Sequence, residues 1–201
     1  MTEPINLKHE IGQGISPQEF MDGMQTLKME LSNIPDTKEQ LHRNYEEFRF
    51  RHQSDEAFFS RVSQKPGLHC LILTTDWCPD VIWNVPVLFR VMNQAGVPTE
   101  VLPMDEHLET MDLFLTDGGR AQPIAVLLTE GGDVVGTWGA RPAYIQAVMD
   151  KFKLEHQVRT SPEYDDQISD VYREIGALYH DVARYQDAMT AELRALFTSI
   201  L

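Results

Sequence analysis

The chain has 201 residues, 42% of them apolar, enough to bury a full core as one domain with extensions or as two small domains, so disorder is excluded as the default. Its formal net charge of −14 is spread along the length, which repels phosphate backbones, and no stretch concentrates Lys and Arg with aromatics as a nucleic-acid surface needs. The amino-terminal stretch lacks a basic start followed by an apolar run, and no apolar stretch is long enough for a bilayer, so the expected setting is the reducing cytoplasm, away from membranes.

In chain order, Ser16-Pro17-Gln18-Glu19 reads as a helix start, with Ser16 as N-cap, Pro17 at the first helical position and Glu19 closing a capping box. Phe20, Met24, Leu27 and Leu31 continue at helical spacing, and Pro35 marks the expected stop. A second helix is predicted from Asp36 or Thr37, carrying Leu41, Tyr45 and Phe48, and a third from Ser54 or Asp55, carrying Phe58, Phe59 and Val62 up to the Pro66-Gly67 break. These aromatic stripes are read as packing surface.

From Leu68 the pattern changes. Leu68 to Leu73 is a short apolar run typical of a buried strand, residues 79 to 95 are helical with Gly96 just past the end, and Thr99 to Leu102 is a second strand. His107 to Leu115 reads as a helix before Gly118-Gly119. Two strands, Ile124 to Leu128 and Val134 to Trp138, flank the turn Glu130-Gly131-Gly132-Asp133, and Ala143 to Phe152 is a closing helix. Strand and helix alternate first and two strands adjoin last, which predicts a parallel α/β unit with an antiparallel edge. After Ser161-Pro162, Ile168, Val171, Tyr172, Ile175, Leu178, Tyr179, Val182 and Tyr185 keep helical spacing, as one long helix or a helical hairpin with Gly176 as its weak point. The expected divisions are a helical extension over 1–65, a central domain over 66–155 and a second helical extension over 156–201.

Chemistry points to Cys78. A thiol at the first turn of a helix faces unsatisfied N–H groups and the positive end of the helix dipole, both of which favour thiolate. Cys70, inside an apolar strand, is read as an inert space-filler. The two cysteines match no zinc pattern and the seven histidines are scattered, so neither a structural metal nor a cofactor is expected. Asp80 favours the helix dipole, would oppose ionisation of Cys78 if it turned inward, and is read as an exposed N-terminal residue; Asp76 is read as a loop or cap residue.

Residues 68 to 152 resemble the thioredoxin family. Trp77-Cys78-Pro79-Asp80 matches the Trp-Cys-Pro-Asp-Cys active site of some thioredoxin-related proteins at four of five positions. Pro86 falls where that family bends its active-site helix, Gln122-Pro123 matches its cis-proline loop, and Gly139 matches its substrate-groove glycine. The resemblance implies an α/β three-layer sandwich with a mixed four-stranded sheet, here with added helices at both termini. It also implies a groove in which the Gln122 backbone lies beside Cys78, where it could pair with a peptide or with glutathione, flanked by Trp77 and Trp138.

Two departures bear on function. Val81 stands where the second cysteine would be, and Ile72 where the family carries a buried carboxylate six residues before the first cysteine. Cys70 cannot replace the missing thiol, because eight extended residues span about 25 Å and a disulfide needs Cα atoms within about 7 Å. The reading is therefore a single-thiol oxidoreductase acting through Cys78 on disulfides or glutathione mixed disulfides, with an external small or protein thiol to resolve it. Two alternatives stand beside it: a non-catalytic module that binds a protein or peptide in the groove, and a redox sensor at Cys78. The terminal helices could also pair with a second copy of the chain.

Overall fold

The computed structural model of the protein describes residues 4–65, 67–156 and 162–201. Pro66 and Ser161, named above as breaks, lie outside them. Helix α1 (Pro17–Gly23) starts as expected: the Ser16 side chain accepts from the Glu19 N–H, and the Glu19 carboxylate accepts from the Ser16 N–H. It ends at Gly23, however, and the expected continuation through Leu27 and Leu31 is not helical. That backbone finds partners elsewhere, with Gln25 N–H donating to Asp76, Leu27 N–H to the Thr37 hydroxyl, and Met29 paired with Ile34.

Helices α2 (Thr37–Glu47), capped by Asp36, and α3 (Gln53–Val62) follow. Then come β1 (Leu68–Thr74), α4 (Pro79–Gln94) and β2 (Thr99–Pro103). Gly96, at φ +62°, takes the left-handed turn past α4 that the sequence assigned to it. The region expected as one helix, His107 to Leu115, is instead a short α5 (Leu108–Met111) between two 3-10 turns. His107 there is turned to Glu10, its Nδ1 at 2.9 Å from the carboxylate, so a contact with a distant segment sets the local chain path. Strands β3 (Ile124–Thr129) and β4 (Val134–Gly139) and helix α6 (Ala143–Glu155) complete the central unit.

The sheet has the order β2-β1-β3-β4, parallel between β1 and β2 and antiparallel elsewhere. Strand β1 is central and alternates its side chains: Cys70 and Ile72 enter the core on the face of α4 and α6, while Leu71 and Leu73 meet Leu7, Met104 and Met111 on the other. Both faces are covered, giving the three-layer sandwich.

The C-terminal segment is a helical pair, α7 (Pro162–His180) and α8 (Val182–Ile200). They break at Asp181, whose side chain caps α8 by accepting from Arg184 N–H, and not at Gly176. Gly176 serves close packing instead, since a Cβ there would lie 2.9 Å from the Cα of Ser32. Gly176→Val is therefore expected to destabilise the fold by about 1–3 kcal/mol, as overpacking does, read from the urea midpoint. An unchanged midpoint would show that the 24–34 segment yields freely.

One hydrophobic cluster joins buried residues of the sheet and α4 with both helical ends. Phe197 of α8 meets Phe59 of α3 edge to face, and Trp83 of α4 stacks on Tyr179 of α7 at 5.8 Å between ring centres. Among the described residues no helix is long and apolar enough to cross a membrane.

Candidate active site

Strand β1 ends at Thr74, three residues turn, and Cys78 becomes the N-cap of α4 with extended backbone angles. Pro79 takes the first helical position, where its missing N–H costs nothing. Val81 N–H donates to the Cys78 carbonyl at 3.1 Å. Trp77 is 49% exposed beside it, and Cys78 is half-buried. The Gln122–Pro123 peptide is cis. Gln122 is buried, with its side-chain oxygen accepting from Thr75 N–H at 2.5 Å.

The Cys78 Sγ lies 3.9 Å from Asp80 Oδ2 and 4.0 Å from the Gln122 carbonyl oxygen, so the S–H can donate to either. Asp80 has turned inward and is 5% exposed, which corrects the expectation of an exposed helix-end residue. Its inward turn has a cause outside the motif. Arg141, just beyond β4, donates from Nε to Oδ1 at 2.9 Å and places Nη2 2.6 Å from Oδ2. Tyr179 of α7 donates its hydroxyl to Oδ1 at 3.0 Å. Asn84, one turn further along α4, donates to the Tyr179 oxygen at 2.7 Å and to the Ala140 carbonyl at 2.9 Å. A buried carboxylate is tolerated only with such partners.

The thiol is not held as thiolate at rest. Although Cys78 keeps some contact with solvent, protein atoms crowd its sulfur, and this desolvation, followed by the Asp80 charge, pushes the thiol up to about 12 against the weaker pull of helix N–H groups and Arg141. The helix N-terminus was expected to win, and it does not. Alkylation of Cys78 should accordingly rise about tenfold per pH unit to pH 10 without a plateau. An inflection near neutral pH in a mass-spectrometric time course would refute a protonated resting thiol. Cys70, fully buried in β1, is likewise pushed up to about 12 by burial and serves as an internal control.

Cys78 opens into a pocket of about 630 Å³. Trp77, Cys78, Pro79, Asp80 and Gln122 form one side. Leu31 and Ser32, with Tyr164, Ile168, Tyr172 and Ile175 of α7, form the other. Trp138 and Gly139 do not line it. Trp138 is 7% exposed and donates its indole N–H to Glu192 of α8 at 2.7 Å, so it covers the sheet and does not flank the groove. Gly139 lies against the cis loop, where a Cβ would come within 2.2 Å of the Pro123 carbonyl. Val81 and Ile72, at the two departed positions, are fully buried, and both cysteines are free. Sequence reasoning missed Arg141, Tyr179 and the α7 wall. Nothing local marks them, and Tyr179 lies 99 residues from Asp80.

A sequence model of the thioredoxin family matches residues 14–153. Among curated proteins none matches the chain. Solved structures resemble it as well. A crystal structure of an HIV epitope-scaffold aligns over 91% of this chain and 98% of its own, with TM-score 0.53 and 15% identity. A protein of unknown function from Pseudomonas aeruginosa aligns over 92% of each chain, with TM-score 0.51 and 13% identity. At these identities the likeness is one of fold.

Proposed function

The chain belongs to the thioredoxin family, and from that premise we propose that it is a single-thiol exchange protein working through Cys78. The sulfur of Cys78 attacks one sulfur of a disulfide or glutathione mixed disulfide, forming a new S–S bond as the other sulfur leaves as a thiol. A second thiol from outside, small or on a partner protein, then attacks the mixed disulfide and restores Cys78. The observation that carries this reading is the placement of Cys78 Sγ in an open pocket, 4.0 Å from the Gln122 carbonyl, with no second thiol built into the site. The residues offered as its binding surface are Trp77, Pro79, Asp80 and Gln122. A reducing cytoplasmic setting, which would supply the second thiol, belongs to the same proposal.

The test is direct. Incubation with oxidised glutathione should add one glutathione to Cys78, seen by mass, and reduced glutathione should remove it; Cys78→Ser should take up none. Absence of the adduct after prolonged incubation at pH 8 would defeat the proposal.

One observation favours a second reading, a non-catalytic binding module: α7 walls the pocket while the thiol is held protonated. On that reading Cys78→Ser keeps the affinity of any ligand the pocket takes, and exchange never occurs.

A further inference from the structure

A thiol pushed up to about 12 exposes roughly one thiolate in 10⁵ molecules at pH 7, so exchange at a useful rate requires that the proton leave during the attack. The described residues offer two acceptors within sulfur hydrogen-bond distance, Asp80 Oδ2 and the Gln122 carbonyl oxygen. A carbonyl oxygen is too weakly basic to take the proton. The carboxylate is not, and it is held in a fixed pose. Its Oδ1 is occupied by the Tyr179 hydroxyl and Arg141 Nε, while Oδ2 receives Arg141 Nη2 and keeps a side towards the sulfur. The groups facing this site are Cys78 and Asn84 from α4, Arg141 from the loop after β4, and Tyr172 and Tyr179 from α7. Arg141 offsets the carboxylate charge, and burial, followed by Asp80, holds Tyr179 well above the usual phenol range, so that its hydroxyl remains a donor.

We infer that Asp80 is the catalytic proton acceptor for Cys78, with Arg141 and the C-terminal helix residue Tyr179 as its positioning residues. The inference rests on the exchange reading above. As the Cys78 sulfur bonds to one sulfur of the disulfide, its proton passes to Asp80 Oδ2. The old S–S bond breaks, and the departing sulfur leaves with the bond's electron pair and recovers that proton from Asp80. Atoms and charge balance as Cys78–SH + R–S–S–R′ → Cys78–S–S–R + R′–SH. The carboxylate need hold the proton only in passing, because a departing alkyl thiolate is a more basic site than a carboxylate. The C-terminal extension thus supplies part of the machinery and does more than cover it.

The experiment compares two reactions of Cys78 at pH 7 in the wild type, in Asp80→Asn and in the double variant Asp80→Asn/Arg141→Gln, which leaves no unpaired buried charge. Iodoacetamide alkylation reads the thiolate population alone, and it should rise in Asp80→Asn, where the opposing charge is gone. Exchange with bis(2-hydroxyethyl) disulfide, whose departing thiolate is basic, reads the proton relay. Divided by the alkylation rate, it should fall about tenfold to a hundredfold in both variants. Exchange with a dipyridyl disulfide, whose leaving group needs no proton, dispenses only with the return of the proton and should also fall relative to alkylation, but less. If hydroxyethyl exchange rises in step with alkylation in both variants, Asp80 is only an electrostatic brake and the inference is overturned. If wild-type Cys78 alkylates but takes up neither disulfide, the exchange reading fails and the inference with it.

Discussion

Arg141→Met lowers the unfolding free energy by about 3–5 kcal/mol, the loss expected when one partner of a buried ion pair is removed and the other stays charged. Both side chains are largely withdrawn from solvent, with side-chain exposures of 11% for Arg141 and 7% for Asp80. Methionine fills much of the volume of the arginine stem, so the loss reflects the stranded carboxylate and not a cavity. Adding Asp80→Asn to Arg141→Met should return most of the stability, because no charge is then left unpaired. Urea unfolding of the two variants measures this. A loss under about 1 kcal/mol in Arg141→Met would mean that Asp80 reaches water or takes a proton, and that the pair is not a structural element. The same variant should make Cys78 slower to alkylate, since the Arg141 charge is one of the influences favouring its thiolate.

Val81→Cys should release a preformed Cys78–glutathione mixed disulfide roughly a hundredfold faster than the wild type does with 1 mM external thiol, because the attack becomes intramolecular. Residue 81 lies in the first turn of α4, with its N–H on the Cys78 carbonyl, and cysteine fits the fully buried space of valine. The product would be an internal disulfide, read as the loss of both free thiols at these positions. Release at the wild-type rate would show that more than the missing sulfur separates this site from a dithiol enzyme. Ile72 would be the first place to look, because it stands where the family is expected to carry a buried carboxylate.

What was legible in the sequence follows from how local each signal is. The Ser16–Glu19 capping box, the helix start at Asp36 or Thr37 and the apolar run of β1 are written within a few residues, and the structure repeats them. Residues 24–34 keep a helical spacing of apolar side chains yet are not helical, because Asp76 and Thr37 supply partners for their backbone from outside the segment. Gly176 reads as a break and acts as a contact, while Asp181, the real break, carries an ordinary capping signal that the sequence reading passed over. At the site, Trp77, Cys78, Pro79, Asp80 and Gln122, all named from the sequence, line one pocket. The motif could not give the orientation of Asp80. That depends on Arg141 and Tyr179, 61 and 99 residues away, and it adds a second influence to the burial that already disfavours the thiolate.

The ion pair between Asp55 of α3 and Arg194 of α8 joins residues 139 apart, and Phe59 meets Phe197 beside it. Such a contact cannot form until nearly the whole described chain is available, and closing so large a loop carries an entropy cost that local helix formation does not. The part of the aromatic face of α3 that α8 covers is therefore closed late, although Phe50 can meet Phe59 locally. A variant that delays this closure, such as Arg194→Ala, should lose yield to aggregation by more than its change in final stability accounts for.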